Sequence, residues 1–380
     1  MGPLAGVKVV ELAGIGPGPL AAMFLADLGA TVIRIDRKQP ANTGVARPVE
    51  FDIVLRNRRS IRVDLKDPAG VALVLDLVVR ADALIEGFRP GVTERLGLGP
   101  EVCLARNPRL VYGRVTGWGQ SGPLAQAPGH DINYIAVTGL LHAIGREGQP
   151  PTLPLNVVGD YAAGSLYFAF GLVSAILEAR SSGQGQVIDS AMVDGVAALL
   201  TVPLSLRHAG QSRGPRGTNL LDSGAPFYEV YACADGRYLA VGPIEERFFA
   251  ELVRRLDLDP NELGDQWDES RWPRAKAVLA ARFATRDRAD WERHFEGAEV
   301  CVSPVLDFDE AVDYPQLKSR GTFIEVAGVV QPAPGPRFSR TVLSRPVPPA
   351  PLNTENAESA LSAWLAEDEI AALRKAGSFI

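Results

Sequence analysis

The chain has 380 residues, enough for two domains or one large domain with a substantial insertion. Its composition, 46% hydrophobic and 22% charged, is that of an ordinary globular protein, and a formal charge of −6 argues against a general nucleic-acid binder. Only Cys103, Cys233 and Cys301 are present, far apart and odd in number, which argues against a disulfide framework or zinc site and fits a reducing compartment.

The first residues, Met1 to Gly6, lack the basic and apolar regions of a secretory signal, so a cytoplasmic location is expected. Val7 to Leu12 reads as a buried strand, followed by a Gly/Pro turn and an apolar helix from Pro19 to Leu28. Thr31 to Ile35 is the next strand, so the opening is a parallel βαβ unit. The pattern recurs: a strand at Ile61 to Val63, a helix over Ala69 to Val79, a strand at Ala83 to Ile85, and a further strand at Arg109 to Tyr112. This half is predicted to be α/β and doubly wound. A long helix is predicted from Ala162 to Arg180, then a strand at Val187-Ile188 and a helix from Met192 to Leu206. The longest apolar stretch, Tyr167 to Ala179, is too short to span a bilayer.

His208 to Gly224, rich in Gly, Arg and Ser, reads as a linker. Beyond it, Phe227 to Ala232 and Tyr238 to Val241 flank Ala234-Asp235-Gly236 as a hairpin. Helices at Glu246–Leu256 and Ala275–Phe283 complete a small α+β domain. The proline-rich stretch from Pro304 to Pro351 is expected to wrap back to the first domain, and Asn356 to Lys375 to form an amphipathic helix. The expected organisation is a large domain of residues 1–190 and 319–380, a linker at 191–225, a small domain at 226–298 and a return linker at 299–318.

Gly14 to Pro19 follows the first strand and mimics a dinucleotide fingerprint, with Asp36 ending the second strand. The third glycine of that pattern falls on Pro19, so a tight strand-to-helix turn is the better reading and no nicotinamide cofactor is predicted. Arg56-Asn57-Arg58-Arg59, with Arg37, Arg89 and Arg95, forms a cationic set near strand ends, where phosphate-bearing ligands are bound in open α/β sheets. Alone, each arginine is a solvated surface charge; as a set they point to a phosphate.

Two segments carry the chemistry. Gly129-His130-Asp131-Ile132-Asn133-Tyr134 and Gly159-Asp160 each place an acid/base group beside a glycine, in a loop entering a helix. Such a pair can serve opposite faces of a substrate carbon. Taken singly, His130 is a loop hydrogen-bonder and Asp160 a helix cap. No metal-ligand spacing, phosphate-loop lysine or serine elbow competes with the pair, and no metal is predicted.

These segments are similar to those of the family III CoA-transferase superfamily, on its α-methylacyl-CoA racemase branch. The further matching words are Val10-Glu11-Leu12 with Gly16 to Pro19, Asp27-Leu28-Gly29-Ala30, Arg34-Ile35-Asp36-Arg37, Val63-Asp64-Leu65-Lys66, Gly87-Phe88-Arg89-Pro90-Gly91-Val92, Gly183 to Val187 and Ala234-Asp235-Gly236. They cover nearly the whole chain in order. The resemblance implies an interlocked homodimer of chains with a large Rossmann-like domain and a small α+β domain, acting on an acyl-CoA with no nucleic acid and no membrane span. It implies an isomerase with His130, Asp160 and the small-domain Glu245 as catalytic groups. It also implies CoA contacts from Arg37, Val63, Asp64, Leu65, Lys66, Gly87, Phe88, Arg89, Arg95, Gly129, Asp131, Ile132, Asn133 and Tyr134. No cofactor is implied, coenzyme A being part of the substrate. A transferase of the same superfamily would instead use Asp160 as nucleophile, and the histidine at 130 tilts the reading to racemase. Val196 to Gly210 is nearly free of methionine and large aromatics, so the acyl group stays open.

Overall fold

A computed structural model of the chain describes residues 2–39, 45 and 47–379. Met1 and Ile380, the ends of the expected large domain, lie outside the described residues. The chain divides into two compact units: Met1–Thr138 with Leu155–Leu199 and Lys318–Ile380, and Gly139–Pro154 with Leu200–Leu317. Residues 139–154, expected in the large domain, belong to the second unit.

The first unit is built on six parallel strands: β1 (Lys8–Leu12), β2 (Thr31–Arg37), β3 (Arg59–Val63), β4 (Ala83–Glu86), β5 (Val111–Thr116) and β6 (Val187–Ala191). Their order is β3-β2-β1-β4-β5-β6. Runs such as Val-Ile in β2 and Ala-Leu-Ile in β4 suit strands covered on both faces. Alternation then sorts the side chains. Val10, Leu12, Ile33 and Ile35 join one core, while Val9 and Val32 join the other. The chain winds one way from β1 and the other way from β4, and the crevice at the carboxyl ends of those two strands is where such sheets bind ligands.

Five helices matter for the site: α1 (Pro17–Asp27), α2 (Pro68–Val79), α3 (Asp131–Val137), α4 (Tyr167–Ser182) and α5 (Met192–Leu199). Helix α1 begins two residues earlier than predicted, because Gly16 at φ 69° makes the turn and Pro17 needs no N–H partner there. A π-helical segment, Val157–Leu166, runs straight into α4. The joined element, Val157–Ser182, is 26 residues with a mean hydropathy of 1.5, long and apolar enough to cross a membrane. The sequence expectation counted only the apolar part of it. In this unit one face of α4 packs on β5 and β6 through Phe168, Leu172, Ala175, Ile176 and Ala179. The predicted helix from Met192 to Leu206 is two helices, α5 and Thr201–His208, broken at Leu200.

The second unit holds an antiparallel sheet in the order β7 (Glu229–Ala232), β8 (Tyr238–Val241), β9 (Val302–Pro304). Its helices α6 (Glu246–Arg255), α7 (Trp272–Phe283) and α8 (Arg288–His294) share one aromatic core with β7 and β8. Tyr231 stacks on Phe283 at 5.1 Å, and Phe283 meets Trp291 edge-on at 5.4 Å.

The proline-rich return carries more regular structure than predicted. It includes an antiparallel hairpin, β10 (Phe323–Val326) and β11 (Val329–Pro332), within the first unit. The predicted terminal helix is two, α9 (Thr354–Leu361) and α10 (Glu367–Lys375), separated by Ser362–Ala366. Ala357, Ala360, Leu361, Trp364 and Ile370 of this region close the core on the α2 side.

Within the cationic cluster at 56–59, Arg56 and Arg58 are internal, contrary to the phosphate reading, while Arg59 is exposed. Arg56 is 2% exposed and Arg58 5%. Arg56 grips Asp27 and also donates to Gln331 Oε1 at 2.8 Å and the Pro332 carbonyl at 2.7 Å. Arg58 pairs with Glu11, which also holds Arg34 at 2.5 Å, and Arg59 donates to Ser359 Oγ. Spacing alone could not show that two acidic side chains, one in β1 and one in α1, are themselves buried and need these partners.

Candidate active site

The segments expected to hold CoA gather around the carboxyl edge of the sheet. Arg37 ends β2, Val63 ends β3 with Asp64, Leu65 and Lys66 following, and Gly87, Phe88 and Arg89 follow β4. Val63 is 1% exposed and sits in the core. Asp64 Oδ1 accepts the Lys66 N–H at 2.9 Å and shapes the turn after β3. The turn after β4 is held by Glu86, buried, whose Oε2 accepts the Phe88 N–H at 2.6 Å while Oε1 takes Arg114 at 2.7 Å. The Arg37 guanidinium lies 5.6 Å over the Phe88 ring, which links the ends of β2 and β4. Arg95 ends a short helix, Val92–Arg95, and is exposed, as are Arg37, Lys66 and Arg89.

His130 caps α3 in an extended conformation, and its N–H donates to Asn133 Oδ1 at 3.0 Å. This local bond is why Asn stands three residues after the cap. His130 is exposed, Asp131 is 6% exposed, and Tyr134 is buried. Tyr134 packs edge-on against Trp118 at 4.8 Å, with Gly129 closing against both rings.

Asp160 is not the cap of the helix that follows it. It lies inside the π-helical segment, half-buried, beside the β1–α1 turn; a Cβ at Gly16 would stand 3.8 Å from its carboxyl carbon. Its N–H donates to Asp131 Oδ1 at 2.8 Å, and its Oδ2 accepts from Asn156 Nδ2 at 3.1 Å. Burial pushes the Asp160 carboxyl above the usual carboxylate range, the Asn156 bond opposes this, Asp131 adds to it, and His130 opposes it. The same burial raises the Tyr134 hydroxyl to about 12, with Asp160 reinforcing and Arg89 opposing. His130, Asp131, Tyr134, Asp160 and Arg89 are thus one electrostatic group.

Two site residues had escaped the sequence reading. Asn156 stands four residues before Asp160, a spacing that puts the two on one helical face. Trp118 comes from the turn after β5 and carries no sequence signal of its own. Glu245 precedes α6 in the second unit and is exposed; burial raises the nearby Cys301 thiol, and the Glu245 charge adds to that.

A half-buried carboxyl with a raised proton affinity beside an exposed imidazole can pass protons at one carbon. Residues 4–356 match the description CoA-transferase family III. The chain belongs to this family. It is 44% identical to mouse α-methylacyl-CoA racemase over 339 residues, 89% of this chain and 87% of that protein. The human racemase of the same name is 43% identical over 341 residues, with 89% and 87% covered. A solved CaiB/BaiF family protein from Brucella suis has a TM-score of 0.81 at 28% identity, covering 95% of this chain and 99% of that one. Family membership accounts for the parallel sheet with a smaller antiparallel unit.

Proposed function

We propose that this chain is an isomerase that inverts the C2 centre of 2-methylacyl-CoA thioesters by 1,1-proton transfer through an enolate. The observation that carries the reading is the pairing of His130 with Asp160, a half-buried carboxyl of raised proton affinity, in a chain 43–44% identical to two racemases. The thioester acidifies the C2–H bond without making exchange rapid at neutral pH. The His130 imidazole is of the side-chain type most often used as a base for such a task. Asp160, whose carboxyl starts near about 3.9, needs its raised affinity to hold a proton for the other face. Reaction from the opposite epimer reverses the two roles.

The Asp160 N–H is committed to Asp131 and is not the donor for the enolate oxygen. The first-turn N–H groups of α3, at Asp131 and Ile132, are of the kind a helix leaves without internal partners. Arg37, Lys66, Arg89 and Arg95 are the cations proposed to meet CoA phosphates, as point charges or forks around the sheet edge. The scheme calls for no cofactor, since CoA arrives with the substrate. Chemistry on branched acyl-CoA esters places the chain in lipid metabolism. We further propose a homodimer in which Glu245 of one subunit supports His130 of the other.

The family name keeps a second reading, acyl transfer with Asp160 as nucleophile. Nucleophilic attack needs an ionised carboxylate, and burial acts against that form here. The experiment is incubation of one epimer of 2-methyldecanoyl-CoA in D2O, following C2 deuterium and stereochemistry. Racemisation with deuterium uptake is the expected result. Acyl exchange onto a free acid without C2 exchange would select the transferase reading instead.

A further inference from the structure

Asp131 has no assigned chemistry beyond a place in a ligand-contacting segment, yet its carboxylate is aimed at the catalytic carboxyl's backbone. It is 6% exposed, and its Oδ1 accepts the Asp160 N–H at 2.8 Å. The neighbouring residue is Gly159, and any Cβ there would collide with Asp131 Oδ1. The glycine before Asp160 is therefore what lets a second carboxylate reach its backbone. A buried carboxylate accepting a single N–H is a costly arrangement unless its charge has a use.

Resting on the racemase reading, we propose that Asp131 is a positioning residue that fixes the Asp160 backbone and sets a second negative charge against its side chain. The other groups facing Asp160 are few. His130 caps α3 and Tyr134 lies in it with Asp131, and Asn156 donates from the residue before the π-helical segment. Of the other helices packed on that segment, α1 carries Asp27, already committed to Arg56, α4 carries Tyr167 at its first residue, and α5 carries Asp194. Only Asp131 among them brings a like charge that acts on Asp160. Burial is the larger cause of the raised Asp160 proton affinity, and the Asp131 charge, held at the Asp160 backbone, adds to it by disfavouring a second ionised carboxyl nearby. Because Asp131 is held through the Asp160 N–H rather than through its side chain, it exerts this effect without blocking the Asp160 oxygens from substrate.

The test is a titration of the Asp160 carboxyl in the full-length chain by carbon-13 NMR with labelled aspartate, the signal assigned by its loss in Asp160→Asn. Asp131→Asn keeps an oxygen for the Asp160 N–H and removes the charge. The Asp160 midpoint is expected to fall by about one pH unit in that variant. Asp131→Ser, smaller and still able to accept, replaces it should the Asn chain not fold. An unchanged midpoint overturns the proposal whatever reaction the enzyme performs. Exchange of C2 in 2-methyldecanoyl-CoA is the second readout. Starting from one epimer Asp160 works as acid, and from the other as base. Both pH limbs governed by Asp160 should move to lower pH in Asp131→Asn, with KM changed less than kcat. Absence of C2 exchange by the wild-type chain would overturn the racemase reading alone, because the NMR midpoint is read without turnover.

Discussion

Arg56 and Asp27 form a two-pronged ion pair, Nη2 to Oδ2 at 2.6 Å and Nε to Oδ1 at 3.1 Å, with side chains 3% and 2% exposed. Asp27 also accepts from Asn57 Nδ2 at 2.7 Å, so the carboxylate at the end of α1 is fully engaged. The pair ties α1 to the chain entering β3, and through Arg56 to β11. Breaking one side of such a pair leaves a buried charge without compensation. Arg56→Ala is expected to lower stability by about 3–5 kcal/mol. Chemical denaturation measures it. A change under about 1 kcal/mol would show that the pair is solvated in solution.

His130→Ala and Asp160→Ala should each lower C2 exchange by about 10²–10⁴-fold while circular dichroism stays unchanged. The exposed imidazole of His130 and the half-buried Asp160 make neither substitution a core defect. Near-normal racemisation by His130→Ala would end the two-base scheme.

Asp160 should also mark stability against pH. Its folded-state proton affinity is raised, so the folded chain binds this proton more tightly than the unfolded chain. Stability from this group is present below the unfolded pKa, about 3.9, and declines as pH rises through the folded value. Asp160→Asn cannot ionise and escapes that decline. Its melting temperature should exceed that of the wild type at neutral pH, and the gap should close on acidification. A gap that widens in acid would show that the carboxylate is stabilised, rather than opposed, by its surroundings.

The exposed cations give a different kind of prediction. Arg89 follows the turn braced by Glu86, and Arg95 ends the short helix beyond it. Arg95→Ala should weaken binding of a full CoA ester while leaving binding of the same acyl group on a short thiol nearly unchanged, since only CoA carries phosphates. Equal losses on both substrates would place Arg95 outside the CoA site.

Much of this was legible in the residues. Strand and helix in β1, α1 and β2 follow from apolar runs punctuated by Gly16, Pro17 and Gly29, all local signals. The grouping of Asp160 with His130 was readable from a pair of glycine-flanked motifs. What was hidden depended on burial. Arg56 and Arg58 look like surface charge until Glu11 and Asp27 are seen inside, and Asn156 and Asp131 acquire meaning only when the π-helical turn brings them to Asp160. The break between α9 and α10 escaped because the apolar period continues through Trp364 and Leu365, which are buried although they end no helix.

Glu245 poses the last test. It is exposed, lies in the second unit, and is separated from His130 by more than a hundred residues of chain. A carboxylate near an imidazole stabilises its protonated form and raises its pKa. If Glu245 supports His130 in this way, Glu245→Ala should reduce the rate of C2 exchange. Whether the two residues come from one chain or two is decided by mixing. His130→Ala and Glu245→Ala proteins should each be strongly impaired alone, and subunit exchange of the proposed homodimer would make mixed dimers. If the residues meet across a two-fold interface, a mixed dimer has one site with both residues intact and one with neither. With random exchange at equal amounts, about a quarter of all sites are then intact, and activity should return to about that fraction of wild type. If both residues belong to one chain, every site in the mixture keeps its defect, and no activity returns.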